Sequence, residues 1–114
     1  RVGPVRVRAN AARRLSGSLG FNASLGGRRF AYTGDTAFCD AVRDMARHAE
    51  VLVSECASRA DVLDIHMNLV DDIPRVRAAM HADAHLVLTH ISADVTAEGL
   101  ANTTVAEDLA RYRF

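Results

Sequence analysis

The chain has 114 residues, enough for one small domain or for part of a larger one. Its hydrophobic fraction is 49% and its charged fraction 25%, as is usual for a globular domain with its own core. No apolar run approaches the roughly 20 residues that span a bilayer, which excludes a transmembrane helix and argues against a membrane partner. The two cysteines, Cys39 and Cys56, are too few for a disulfide framework, which favours a reducing, cytoplasmic location.

The charges are unevenly distributed although the formal net charge is zero. Residues 1–34 contain seven arginines and no acid, whereas residues 35–114 contain seven arginines and fourteen acids. The basic first third could attract a nucleic acid, but Arg6 and Arg8 also fit the outward positions of an alternating strand. Zero net charge argues against a dedicated nucleic-acid-binding module. The chain begins with Arg1 rather than Met, which suggests a segment of a longer product.

Hydrophobic periodicity predicts strands and helices along the chain. Alternation of apolar and polar residues predicts strands at 5–8, 19–25 and 28–32, with a loop at 9–18. Gly26-Gly27 predicts a hairpin turn, because glycine tolerates the positive φ that such turns require. Apolar residues at helical spacing predict a first helix from about Phe38 to Ala49. A second helix is predicted after Asp71 or Asp72 as its cap, with Pro74 in its first turn.

The remaining elements complete an α/β pattern with parallel middle strands. Buried strands are predicted at 51–53 and 86–88, then a short helical stretch at 96–101. A final hairpin is predicted from strands at 103–106 and 109–114 around Glu107-Asp108. Proteins of this class place their chemistry at the carboxyl ends of parallel strands, and here those ends carry Asp35, Glu55 and His90.

Asp35, His66 and His90 offer one carboxylate and two imidazoles, which are ligands that suit a metal such as zinc. Spacing alone favours a simpler interpretation. An Asp after a strand commonly caps a turn or helix, and a single His is commonly a structural residue.

Four motifs follow one another in a fixed order: FAYTGDT at 30–36, VLVSEC at 51–56, His66, and LVLTHIS at 86–92. Together with the ending TVAED at 104–108, they resemble the second half of the metallo-β-lactamase superfamily. The resemblance is greatest to the ribonuclease Z-type phosphodiesterases and extends from about Val5 to Phe114. It implies a metallo-β-lactamase-like αβ/βα sandwich, of which this chain is the carboxyl-terminal βα half and from which the amino-terminal half is absent.

The resemblance also implies roles for individual residues. Asp35 corresponds to the carboxylate that bridges two metal ions, and His90 to a ligand of the second metal. His66 corresponds to the group that protonates the leaving oxygen, oriented by a carboxylate like Glu55. The implied cofactor is a divalent metal, zinc in the first instance, with manganese or iron as alternatives. The implied activity is hydrolysis of a phosphodiester by a metal-activated water.

Three departures from the family pattern bear on these expectations. The metal-binding run His-x-His-x-Asp-His is absent, so we expect an incomplete metal site and little activity from the chain alone. Arg14 stands about where a further ligand His precedes Gly20 and Phe21. His66 is followed by Met67-Asn68 rather than the Ser-Thr of ribonuclease Z, which weakens an assignment to tRNA precursors.

Alternative functions remain at this point. The chain could be a non-catalytic half-domain for binding or structure, or a hydrolase of another ester, a lactone or a thioester. A phosphoacceptor role for Asp35 is disfavoured, because such sites use a Lys and the chain has none. The expected partners are the missing amino-terminal half, a second copy of the chain, and a nucleic-acid or small phosphodiester substrate. We also expect Asp35 and His90 to converge, with Glu55 within reach of His66.

Overall fold

The computed structural model describes residues 6–11, 19–97, 99–108 and 110–114. Its elements, in chain order, are β1 (Arg6–Ala11), β2 (Leu19–Leu25), β3 (Arg28–Tyr32), α1 (Asp40–His48), β4 (Val51–Glu55), α2 (Ile73–Ala79), β5 (His85–Thr89) and β6 (Thr103–Val105). The six strands form one sheet in the order β1-β2-β3-β4-β5-β6. β1, β2 and β3 pair antiparallel, and the pairs from β3 to β6 are parallel.

The two helices begin where local chemistry favours them. Asp40 lies in the first turn of α1 and His48 in its last, the arrangement that complements the helix dipole. Pro74 lies in the first turn of α2, where its missing N–H costs no helical hydrogen bond. Asp72 is the N-cap residue of α2, as predicted, but its carboxylate accepts the backbone N–H of Asn68 at 2.9 Å and does not cap the helix.

One face of the sheet packs against both helices and forms the core. The strand residues in this core are Ala31, Leu52, Leu86 and Leu88, and the helix residues include Val42, Met45, Ala46, Ile73 and Val76. Complete burial of each large aliphatic side chain contributes about 1.5–3 kcal/mol. This packing holds β3, β4 and β5 in register, so the residues that follow them meet at one edge.

The opposite face bears a group of apolar residues beside the polar His85 and Thr104, and no described helix packs on it. We call its apolar part the open face; its residues are Phe21, Phe30, Tyr32, Val51, Val53 and Val87. Val51 and Val87 are buried, but Phe21 is 41% exposed and packs edge-on against Tyr32 with ring centroids 5.5 Å apart. Exposed apolar surface of this kind marks a face that another layer of protein can cover.

The predicted final hairpin is wrong. β6 pairs in parallel with β5, and residues 110–114 are not a strand. The backbone N–H of Glu107 donates to the hydroxyl of Tyr112 at 2.9 Å, and the Phe114 ring packs 4.7 Å from the ring of His85. These contacts hold residues 110–114 against β5 and the segment after β6, without strand pairing.

Other sequence predictions need smaller corrections. The residues described within 96–101 form turns rather than a helix, with Leu100 N–H donating to the Ala97 carbonyl at 3.1 Å. β1 runs to Ala11, so residues 9–11 belong to a strand rather than to the predicted loop. Val5 and residues 12–18 lie outside the described residues. No helix among the described residues is long and apolar enough to cross a membrane.

Candidate functional site

Glu55 is a fully buried carboxylate at the end of β4. Oε1 accepts the backbone N–H of Met67 at 2.6 Å, and Oε2 lies 3.1 Å from Nδ1 of His66. The backbone of Glu55 is held as well, because its N–H donates to the hydroxyl of Thr33 at 3.1 Å. The end of β4 thus fixes a carboxylate and aims it at one imidazole.

The environment of Glu55 changes its acidity. Burial raises the pKa of the Glu55 carboxyl above its ordinary value, because the charged form loses hydration. Hydrogen bonds from Met67 and His66 and the attraction of the His66 ring favour the charged form and offset part of this effect. A buried carboxylate that depends on an imidazole for its charge partner is typical of a site that handles protons.

His66 lies between Glu55 and His90. Its side chain is 20% exposed, and its ring stacks on the ring of His90 with centroids 5.5 Å apart and planes 24° apart. Nδ1 is engaged by Glu55, and within the described part of the chain Nε2 has no hydrogen-bond partner. Nε2 is therefore the ring nitrogen that Glu55 leaves unengaged.

His90 follows β5 directly and has a strained backbone. Its φ is +53°, in the left-handed region that non-glycine residues rarely adopt. Strain of this kind persists only where surrounding structure over-determines it, and it is common at functional sites. The exposed ring of His90 is thereby brought against His66.

Asp35 follows Gly34, whose φ of +65° turns the chain sharply after β3. The pKa of the Tyr32 hydroxyl is raised, mainly by burial. The negative charges of Asp35 and Glu55 raise it further. Asp35 and Glu55 thus each lie close enough to Tyr32 to act on its hydroxyl, and the convergence of Asp35 with His90 stays a prediction. The metal-binding roles of Asp35 and His90 remain predictions.

The donor set for a metal is incomplete in the described part of the chain. No three His, Cys, Asp or Glu side chains there are grouped so that they could hold a metal ion. A catalytic zinc normally has three protein ligands, so Asp35 and His90 can supply only part of such a site. Arg14, which stands at a predicted ligand position, lies outside the described residues.

Gly20 supports the site, although the sequence analysis gave it no such role. A Cβ built at Gly20 would lie 2.6 Å from the carbonyl oxygens of both Tyr32 and Thr33. Only glycine allows β2 to approach the chain that leads into Asp35. A glycine inside a strand is the sequence signal for such a close approach of backbones.

Comparison with solved structures reveals the fold. The metallo-β-lactamase fold protein YhfI from Bacillus subtilis superimposes with a TM-score of 0.74 and 20% identity over 92% of this chain. The chain has the metallo-β-lactamase fold. A diphosphatase from the PhnP family (TM-score 0.71, 19% identity, 96% of this chain) and human tRNase Z, short form (0.61, 23%, 91%), share this fold with it.

The chain spans less than half of these metallo-β-lactamase fold proteins: 48% of YhfI, 44% of the diphosphatase and 40% of tRNase Z. No protein-family model matches the sequence. No curated protein matches it either. The fold is therefore recognised from the three-dimensional structure rather than from sequence similarity.

Proposed function

We propose that the chain is the carboxyl-terminal half of a metal-dependent hydrolase that cleaves phosphodiesters in the manner of ribonuclease Z-type enzymes. The observation that carries this proposal is the buried Glu55 carboxylate 3.1 Å from Nδ1 of His66, with His90 stacked on the same ring. The similarity to a PhnP-family diphosphatase and to human tRNase Z supports the reaction class.

In the proposed reaction, His66 donates a proton to the leaving oxygen. A new P–O bond forms to the oxygen of water, which loses a proton to solvent, while the P–O bond to the leaving group breaks and the leaving oxygen takes the proton from Nε2 of His66. Solvent then returns a proton to His66. Glu55 contacts Nδ1 at 3.1 Å, which fixes the orientation of the ring and leaves Nε2 for the proton transfer. General acid catalysis of this kind contributes about 10²–10⁴-fold to the rate.

Asp35 and His90 would hold part of the metal site, and the amino-terminal half would hold the rest. Carboxylate oxygen and imidazole nitrogen suit zinc, and they also accommodate manganese or iron. A divalent metal in such a site supplies a water of lowered pKa. Because the described donors are too few for a complete site, we expect the 114-residue chain alone to bind a divalent metal weakly.

The open face supports the half-domain proposal. Phe21 is 41% exposed on it, and the chain spans under half of each similar solved structure. We propose that the missing amino-terminal half packs on this face. Where that half is absent, a second copy of the chain would take its place, so we expect the isolated chain to self-associate.

The test uses the protein that joins this chain to the amino-terminal half, with bis-(para-nitrophenyl) phosphate as substrate. We expect metal-dependent hydrolysis, and we expect D35A and H90A each to lower both the bound zinc per chain and the rate by at least about tenfold. D44A is the matched control, because Asp44 is an exposed carboxylate paired with Arg47 on α1.

Two results would contradict the proposal. Hydrolysis that survives complete removal of metal by a chelator would exclude a metal-dependent reaction. Unchanged metal content in D35A and H90A would show that neither residue binds the metal. It would favour the alternative that the chain is a non-catalytic half-domain.

A further inference from the structure

A cavity of about 320 Å³ lies beside His66, between the loop at 61–68 and the start of α2. His66 forms part of its wall together with Phe38, Leu63 and Arg75. We call this cavity the His66 pocket. His66 lines this cavity, so the cavity offers space for the group attached to the oxygen that His66 protonates in the proposed function.

Part of the wall is apolar and exposed. Val62 is 84% exposed and Leu63 is 38% exposed, and both line the pocket. The Phe38 ring behind them is held by two cations, with the guanidinium carbons of Arg43 and Arg75 at 5.2 and 5.8 Å from its centre. A ligand that covers these side chains removes apolar surface from water, which favours binding of an apolar or aromatic group.

The charged part of the wall disfavours an anion. Asp64, Asp71 and Asp72 line the pocket, whereas Arg75 is the only arginine among the described residues that line it. Asn68 holds two of these carboxylates: its backbone N–H donates to Asp72 at 2.9 Å, and its side-chain N–H donates to Asp71 at 3.4 Å. A polynucleotide carries one negative charge per nucleotide, so a nucleic-acid strand that continued into this pocket would be repelled.

We infer that the His66 pocket binds the leaving group of the substrate and selects an uncharged apolar or aromatic alcohol. The substrate is then a small organic phosphodiester rather than an RNA strand. Leu63 and Val62 set the preference for the apolar group, and Asp64 excludes a second phosphate. This inference rests on the proposed phosphodiesterase function.

The test uses the protein joined to its amino-terminal half and compares kcat/KM for dibenzyl phosphate with kcat/KM for a uridine trinucleotide. Both leaving groups are unactivated alkyl alcohols, but the leaving strand of the trinucleotide carries a phosphate. We expect the aromatic diester to be preferred by at least about tenfold. We expect L63D to raise KM for the aromatic diester by about tenfold with kcat nearly unchanged, because burial of one Leu accounts for at least a tenfold change in affinity. V70D is the matched control, since Val70 is 53% exposed and lies outside the His66 pocket.

A charge reversal provides the second arm. We expect D64K to raise kcat/KM for the trinucleotide several-fold and to change that for the aromatic diester less than twofold. Preference of the unaltered protein for the trinucleotide, or equal effects of L63D and V70D, would overturn the inference while leaving the phosphodiesterase proposal intact. Absence of hydrolysis of both substrates would overturn the two together. Circular dichroism of each variant verifies that it is folded.

Discussion

One histidine lies near the carboxyl ends of the parallel strands, which we call the carboxyl edge, and another lies at their amino ends, the amino edge. The surroundings of these two histidines differ. Near the carboxyl ends of the strands, His66 lies 3.1 Å from the buried carboxylate of Glu55. At the amino end of β5, Nε2 of His85 lies 2.9 Å from the hydroxyl of Thr104, and Phe114 covers the ring. Burial and the nearby charge of Arg77 lower the pKa of His85.

The difference shows what a fold must supply to turn a histidine into an acid–base group. The buried carboxylate of Glu55 lies against His66, whereas His85 faces the neutral hydroxyl of Thr104, and burial together with the charge of Arg77 lowers the pKa of His85. His85 therefore has the surroundings of a structural residue, whereas the proposed acid–base role belongs to His66.

The largest expected effect distinguishes the two histidines by activity. In the protein joined to its amino-terminal half, H66A removes the proposed acid and should lower kcat on dibenzyl phosphate, whose alkoxide leaving group needs a proton, by about 10²–10⁴-fold. H85A should leave kcat within about threefold, since no substrate contact is proposed for it. Equal losses in both variants, measured as initial rates on folded protein, would contradict the comparison.

A substitution beneath the carboxyl edge should affect stability. G20A places a Cβ 2.6 Å from two backbone carbonyl oxygens, so the strands must separate, and we expect a loss of about 2–4 kcal/mol in the free energy of unfolding. G99A is the control: its Cβ meets nothing within 4 Å, and its φ of +80° costs about 1–2 kcal/mol. Urea denaturation measures both, and equal losses would exclude the close approach as the cause.

The two edges should also respond to pH with opposite sign. Burial raises the pKa of Glu55, so the folded state binds the proton of this carboxyl more tightly than the unfolded state does. The protonated carboxyl therefore stabilises the fold at low pH, and this contribution is lost as pH rises above the ordinary pKa of a glutamic acid. We therefore expect E55Q to gain stability relative to the unaltered protein as pH rises from about 4 to about 6.

The lowered pKa of His85 gives the reverse trend. Its folded form resists protonation, so this group destabilises the fold as pH falls through the ordinary range of histidine. We expect H85Q to gain relative stability as pH falls from about 7 to about 5. Urea denaturation at each pH measures both variants, and slopes of the same sign would refute the comparison.

The smallest effect concerns the residue after Glu55. Burial, together with the charge of Glu55, raises the pKa of the Cys56 thiol to about 12. Its thiolate is therefore scarce near neutral pH, and we expect Cys56 to resist iodoacetamide in the folded protein while the half-buried Cys39 reacts. Mass spectrometry of the peptides identifies the labelled cysteine, and rapid labelling of Cys56 would show that the carboxyl edge opens readily.

Local pattern determined much of the fold. Alternating residues around Gly26-Gly27 predicted β2 and β3, and helical spacing predicted α1, because both signals come from neighbours in sequence. The apolar centres of β4 and β5 were predicted as well, although each strand is longer than expected. The placement of Asp35, Glu55 and His90 after three strands followed from these elements.

The tertiary structure decided what those strands alone leave open. The hydrogen bond from Met67 to Glu55, the stacking of His66 on His90 and the close approach at Gly20 join residues far apart in sequence, so no periodicity encodes them. The segment at 110–114 alternates like a strand, yet contacts of Phe114 with His85 prevail over strand pairing. Pattern reports which side of an element is apolar, whereas the partner of each side chain depends on how the elements pack.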